Sequence, residues 1–119
     1  MDKDKQPGIN YDGIILVEEK FWRDYEVPDG SEIKFDINVS KNNIGREYNV
    51  EIESILKLIY EDKEVLSIES TFVGFFSVIE GKENMDIESF IKYNAVSFMI
   101  PYIREHISSI TMKSGINPI

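Results

Sequence analysis

Residues 32–40, EIKFDINVS, alternate without a break, with Ile33, Phe35, Ile37 and Val39 on one side and Glu32, Lys34, Asp36 and Asn38 on the other. A period of two sends successive side chains to opposite faces of a strand, so this segment is predicted to be a half-buried strand. Residues 13–27, GIILVEEKFWRDYEV, are rich in β-branched and aromatic side chains and predict an earlier strand. Ile15, Val17, Phe21 and Tyr25 share one parity there, and Ile14, Leu16 and Trp22 the other. Pro28, Asp29 and Gly30 supply a turn between the two, through one fixed and one permissive φ angle. A second polar turn, KNNIGRE, follows. Residues 47–81 then read as a long hairpin turning at 61–64. Tyr48, Val50, Ile52, Leu56, Leu58 and Tyr60 share one parity and Ile55 and Ile59 the other. From Phe72 onward both faces are apolar: Phe72, Phe76 and Val78 on one, Val73, Phe75 and Ile79 on the other. Gly74 among them marks either a bulge or a close backbone approach.

The period then changes. Phe90, Ile91, Val96, Phe98, Met99, Tyr102, Ile103, Ile107 and Ile110 recur at three- and four-residue intervals, the spacing of an apolar helix face. Asp86 suits an N-cap, Glu88 complements the helix dipole, and Gly115 with Pro118 beyond it suits the C-terminal stop. Pro101 can neither bond the carbonyl of Ser97 nor leave Ile100 free to stay α-helical, so a kink or split is predicted there, with a helix before it and a longer one over 101–114. Four strands followed by helix give an α+β fold, a four-stranded antiparallel sheet packed by a C-terminal, proline-kinked long helix. One domain spans 1–119, with 1–12 expected to be flexible. A sheet apolar on both faces must be covered on both. Either the long strands curl and cover themselves, or a second subunit or an apolar ligand does so.

Composition narrows the partners. Thirteen Lys and Arg against 22 Asp and Glu leave a net charge of −9, which repels a phosphate backbone, so no nucleic-acid partner is expected. No apolar run reaches the ~18 residues needed to span a bilayer, and the polar start is unlike a signal peptide, so no membrane insertion and a cytoplasmic location are expected. The chain has no Cys, which fits a reducing compartment.

Catalytic equipment is sparse. His106 is the only histidine, and its place four residues after Tyr102 on a helix suits packing better than base catalysis. Ser108 and Ser109 lack a nucleophile-elbow context, and Glu18–Glu19 and Glu61–Asp62 read as solvated charge. No cofactor, no metal site and no catalytic residue are assigned, and no enzymatic activity is expected.

NAVSFMIPYIREHISSITMKSGINPI resembles the helix signature of the SecB family of export chaperones at Pro101, Tyr102, Arg104, Ile107, Ser108 and Gly115. EIKFDINV, the hairpin ending in STFVGFFSV and WRDYEVP are similar to the family's strands, in the right order. The resemblance implies a homotetramer, a dimer of dimers, packed through the helix residues Pro101, Tyr102, Ile103, His106, Ile107 and Ile110. It implies ATP-independent binding of unfolded polypeptide clients, for which Trp22, Phe72, Phe75 and Phe76 are the expected contacts. Export members pass clients to SecA through acidic residues, and Asp24 matches one such position. Other SecB-like proteins chaperone the antitoxin of a toxin–antitoxin pair, and both uses stay open, as does a dedicated, non-enzymatic protein-interaction domain. Family members usually continue past the corresponding PPI region into a second helix and a polar tail, whereas the sequence stops at Ile119.

Overall fold

The computed structural model describes residues 9–78 and 87–119, with helix side chains from Tyr93 onward. Asp86, Ile79 and the side chains of Glu88, Phe90 and Ile91 lie outside the described residues. The elements are β1 (Ile9–Arg23), β2 (Glu32–Ile44), β3 (Glu47–Tyr60), β4 (Lys63–Val78) and α1 (Ile87–Lys113). The strands form one antiparallel sheet in the order β1-β4-β3-β2, so β1 and β2 are its edges. β1 starts at Ile9, and residues 9–11, within the stretch expected to be flexible, pair with the end of β4.

Even positions of β3 and β4 make the core. Val50, Ile52, Leu56, Leu58, Leu66, Ile68, Phe72, Phe76 and Val78 are buried beneath α1, as the parity of the sequence requires. The hairpin turn is tighter than expected. Only Glu61 and Asp62 lie between the strands, with φ of 50° and 62°, the left-handed pair that a two-residue loop needs to match strand twist. Beyond it Val65 is also buried, where the register slips next to Leu58.

β1 departs from the parity read in the sequence. Register shifts between Tyr11 and Gly13 and between Leu16 and Glu18 each insert a residue, and each reverses which face later residues take. Pairing therefore puts Tyr11, Ile14, Leu16, Glu19 and Phe21 on the helix side, and Ile15 and Trp22 on the other. Ile15 does not share a face with Phe21. Tyr25 lies past the strand and is 98% exposed.

α1 is a single helix running through Pro101, not two helices. Ala95, Met99, Ile103, Ile107 and Thr111 form its buried row, every fourth residue. Pro101 and Ser97 are exposed, so the carbonyl that loses its partner belongs to the solvent side of the helix and the buried row is untouched. Gly74 is the close approach rather than a bulge. It keeps regular register on both sides, and a Cβ there would lie 2.8 Å from Met99 Sδ. The helix ends as Gly115 predicts: φ is +83°, Ile116 N–H donates to Thr111 O and Gly115 N–H to Met112 O. Arg23 locks this end to β1, its guanidinium donating to the carbonyls of Ser114 and Tyr25.

Candidate functional site: an apolar groove beside the helix

A helix with its side chains is about 10–12 Å wide, and strands lie about 4.8 Å apart, so one helix covers about two strands of four. α1 covers β3 and β4, and the apolar residues that β1 and β2 direct to the same face are left beside it. On the β2 side Ile33 is 55% exposed, Phe35 45% and Val39 42%. Opposite them, Tyr93, Val96 and Ile100 line the flank of the helix.

Two clefts lie in succession along this flank. One of ≈ 630 Å³ is lined by Ile33, Phe35, Leu56, Ile100, Arg104 and Ile119 among others, and one of ≈ 430 Å³ by Val39, Lys41, Val50, Tyr93 and Val96. Residues 33–41 of a strand rising about 3.4 Å per residue make a groove of about 27 Å, the length of some eight extended residues. Its walls are aliphatic and aromatic, with Arg104, Ser108 and Lys41 as the polar groups. Such a lining offers apolar contact and no arrangement of nucleophile and base. Ile119 closes one end, its N–H donating to Thr111 Oγ1 and its carbonyl accepting from Ser108 Oγ.

The β1 flank is built differently. Tyr11 stacks on Phe98 with ring centroids 6.0 Å apart and leans on Phe76 at 5.5 Å. Burial, and then a hydrogen bond with Tyr102 and its charge, push the Tyr11 phenol up to about 12. Farther along, Glu19 reaches under the helix. One carboxylate oxygen, Oε2, accepts from Ser70 Oγ and lies 3.0 Å from His106 Nε2, while Oε1 is buried without a partner. The His106 ring stands edge-on to Phe72. His106 is thus held by its own sheet through the Glu19 carboxylate and an aromatic face.

The residues that sequence reasoning singled out are distributed over several places. Phe72 and Phe76 are 7% and 3% exposed, in the core beneath α1. Phe75 is half-buried on the opposite face with Val73 and Ile15 across the sheet, and Trp22 is half-exposed on that same face nearer the other end. The four do not converge on one surface. In α1, Ile103 and Ile107 are packed on the chain's own sheet, His106 and Ile110 are half-buried, and Pro101 and Tyr102 face outward. Asp24 is held by Lys63 Nζ at 3.1 Å and by the Tyr25 N–H, which keep its carboxyl below the usual carboxylate range. Ile33, Phe35 and Val39 were read only as a strand's inner face, yet the width argument above would have marked them as more than one helix can cover.

Among the described residues no group of three or more His, Asp or Glu could hold a metal ion, and no helix is long and apolar enough to cross a membrane. Comparison with known proteins finds that the sequence model of the family described as Preprotein translocase subunit SecB matches residues 19–119. The protein-export proteins SecB of two strains of Orientia tsutsugamushi, Boryong and Ikeda, are each 28% identical over 86 residues, 72% of this chain. The chain spans about half the length of these curated relatives, 53% and 52%. Among solved structures, a SecB-like chaperone of Mycobacterium tuberculosis in complex with a peptide from the HigA1 antitoxin superposes with a TM-score of 0.78 at 14% identity, covering 93% of this chain and 83% of that one. A protein of unknown function from Streptococcus agalactiae superposes at 0.56 with 10% identity over 96% of each.

Proposed function

The chain belongs to the SecB family, and we propose that it is an ATP-independent, non-enzymatic chaperone of the cytoplasm that holds unfolded polypeptide in the groove between β2 and α1. The observation that carries this reading is the exposure of Ile33, Phe35 and Val39 beside a helix that leaves them uncovered. Large apolar side chains left in water along two successive clefts favour apolar, extended clients, and such contact needs neither nucleotide nor catalytic group. On this reading Phe72 and Phe76 are core residues on the β1 side of the helix and not client contacts. Phe75 and Trp22 belong to a second, outward surface on which Asp24 could meet SecA. The aromatic flank of Tyr11, Phe98 and Tyr102, next to the exposed Pro101, is the contact through which copies assemble, with a homotetramer as the expected product.

A second use is favoured by the Mycobacterium tuberculosis neighbour, which was solved with an antitoxin peptide. The same groove would serve a dedicated antitoxin. The test is suppression of aggregation of several unrelated denatured proteins without nucleotide, set beside an antitoxin's C-terminal segment. Suppression of all, weakened about tenfold or more by Phe35→Ala, is expected, since burying one Phe contributes roughly 1.5–3 kcal/mol and 1.4 kcal/mol is tenfold. Tight binding of one antitoxin segment and none of the denatured proteins would point to the dedicated role. Failure with all of them would end the chaperone reading.

A further inference from the structure

The end of β1, the turn between β3 and β4, the end of α1 and the segment after it meet at one end of the molecule. Arg23 joins them. Its Nε donates to Asp24 O at 2.8 Å, one terminal nitrogen to Tyr25 O at 2.9 Å, and the other to Ser114 O. A planar guanidinium carries five N–H donors in one fork, so it can hold carbonyls of two segments at once. The residues that follow on either side enclose a cavity of ≈ 350 Å³. Residues 27–31, from the connection between β1 and β2, form one wall, and Gly115, Ile116, Asn117 and Ile119 the other. Ile33 and Ile119 also line the ≈ 630 Å³ cleft, so the cavity adjoins the groove. Arg23 thus ties the start of one wall, at Tyr25, to the start of the other, at Ser114.

We propose, on the basis of the chaperone reading, that Arg23 is a latch between these two walls, and that a basic group of a partner opens it by taking Asp24 from Lys63, so that docking at Asp24 loosens what the groove holds. The peptide plane between Asp24 and Tyr25 is the moving part. Its oxygen accepts from Arg23 Nε, and its N–H donates to Asp24 Oδ1 at 2.8 Å, so the carboxylate and the guanidinium hold the two sides of one rigid unit. Asp24 N–H donates to Val65 O, which anchors the residue to β4 just before that plane. The second carboxylate oxygen, Oδ2, pairs with Lys63 Nζ at 3.1 Å at the surface. Exposed pairs of this kind contribute little to stability, so a competing cation can replace Lys63. A carboxylate that turns to meet the newcomer gives up the Tyr25 N–H. The freed plane then rotates, and Arg23 loses the carbonyls that aim it at Ser114. With the walls untied, the helix end keeps its own bonds, Ile116 N–H to Thr111 O and Gly115 N–H to Met112 O, but not its tie to β1.

The test uses the full chain loaded with a labelled denatured protein, and a tetralysine peptide as the cationic probe. The peptide should speed release from the native chain about fivefold or more, the lower end of measured couplings between sites. Asp24→Asn removes the charge that attracts the peptide and should abolish the acceleration. Arg23→Met keeps the stem without the donors, so release should be fast from the outset and gain less than about twofold from the peptide, because both changes act on one network. Arg23→Lys, which puts the charge on a single nitrogen, should fall between native and Arg23→Met, and it carries the comparison if Arg23→Met does not fold. Equal acceleration of the native chain and Asp24→Asn would assign the effect to charge screening and overturn the role of Asp24. No acceleration of the native chain, or release from the Arg23 variants as slow as from the native chain, would overturn the latch and leave the chaperone reading standing. A native chain that holds no denatured protein would remove the reading beneath it. The latch is then judged by amide exchange at Gly115 and Ile116, which the peptide should speed in the native chain and not in Asp24→Asn, and unchanged exchange would overturn it as well.

Discussion

Tyr11 shows how a single side chain links the fold to solution conditions. It leaves β1 to stack on Phe98 and hydrogen-bond with Tyr102, and its phenol is raised from 10.0 to about 12, chiefly by burial and then by the Tyr102 contact. A group that holds its proton more tightly when folded contributes stability that is whole below its unfolded pKa and is lost as pH rises through the folded one. Stability should therefore fall between pH 10 and about 12, and Tyr11→Phe should flatten that fall. Urea midpoints of both proteins across this window check it, and parallel curves would show that another group titrates. Neither Tyr11 nor Glu19 was legible as a helix contact. Residue parity is a reliable guide only while a strand is regular. It held for β2, β3 and most of β4, and failed in β1, where the inserted residues separate Ile15 from Phe21 and leave Glu19 on the helix side with Phe21. Glu19 is also charged, which in sequence reads as solvent exposure.

At the scale of elements, the fit of α1 on the sheet depends on Gly74. The thioether of Met99 occupies the place a Cβ would take, with Sδ at 2.8 Å and Cε at 3.3 Å, and Phe76 closes the other side at 3.0 Å. Gly74→Val should cost about 1–3 kcal/mol by overpacking. Met99→Ala should restore part of the loss, because the two substitutions act on one contact. Urea unfolding of the single and double variants is the measurement, and a neutral Gly74→Val would mean that α1 rides higher than described. The order of the elements and the register of the hairpin were readable from periodicity and turn chemistry. The continuity of α1 was not. A proline predicts a break by what it does to the backbone, but the outcome depends on which side of the helix loses its bond. Here Ser97 and Pro101 lie on the side facing solvent, away from Met99 and Ile103.

At the scale of the whole molecule, one helix over four strands leaves two apolar flanks, and the proposed roles divide them between client and copy. Light scattering at roughly tens of micromolar should give an assembly larger than a monomer. Phe98→Glu combined with Tyr102→Glu should lower its mass by half or more while the β2 groove still binds peptide. A native protein that is monomeric at that concentration would show that the Tyr11–Phe98–Tyr102 flank is not an interface. The strand order has a further consequence, for biosynthesis. β2, β3 and β4 pair with their neighbours in sequence, but β1 pairs only with β4. On a ribosome adding 5–20 residues per second, the 55 positions between Arg23 and Val78 take roughly 3–11 s to appear. For that interval Ile14, Leu16 and Phe21 have no β4 to pair with. Until β4 emerges, the nascent chain is itself an unfolded apolar segment of the kind its finished groove would hold.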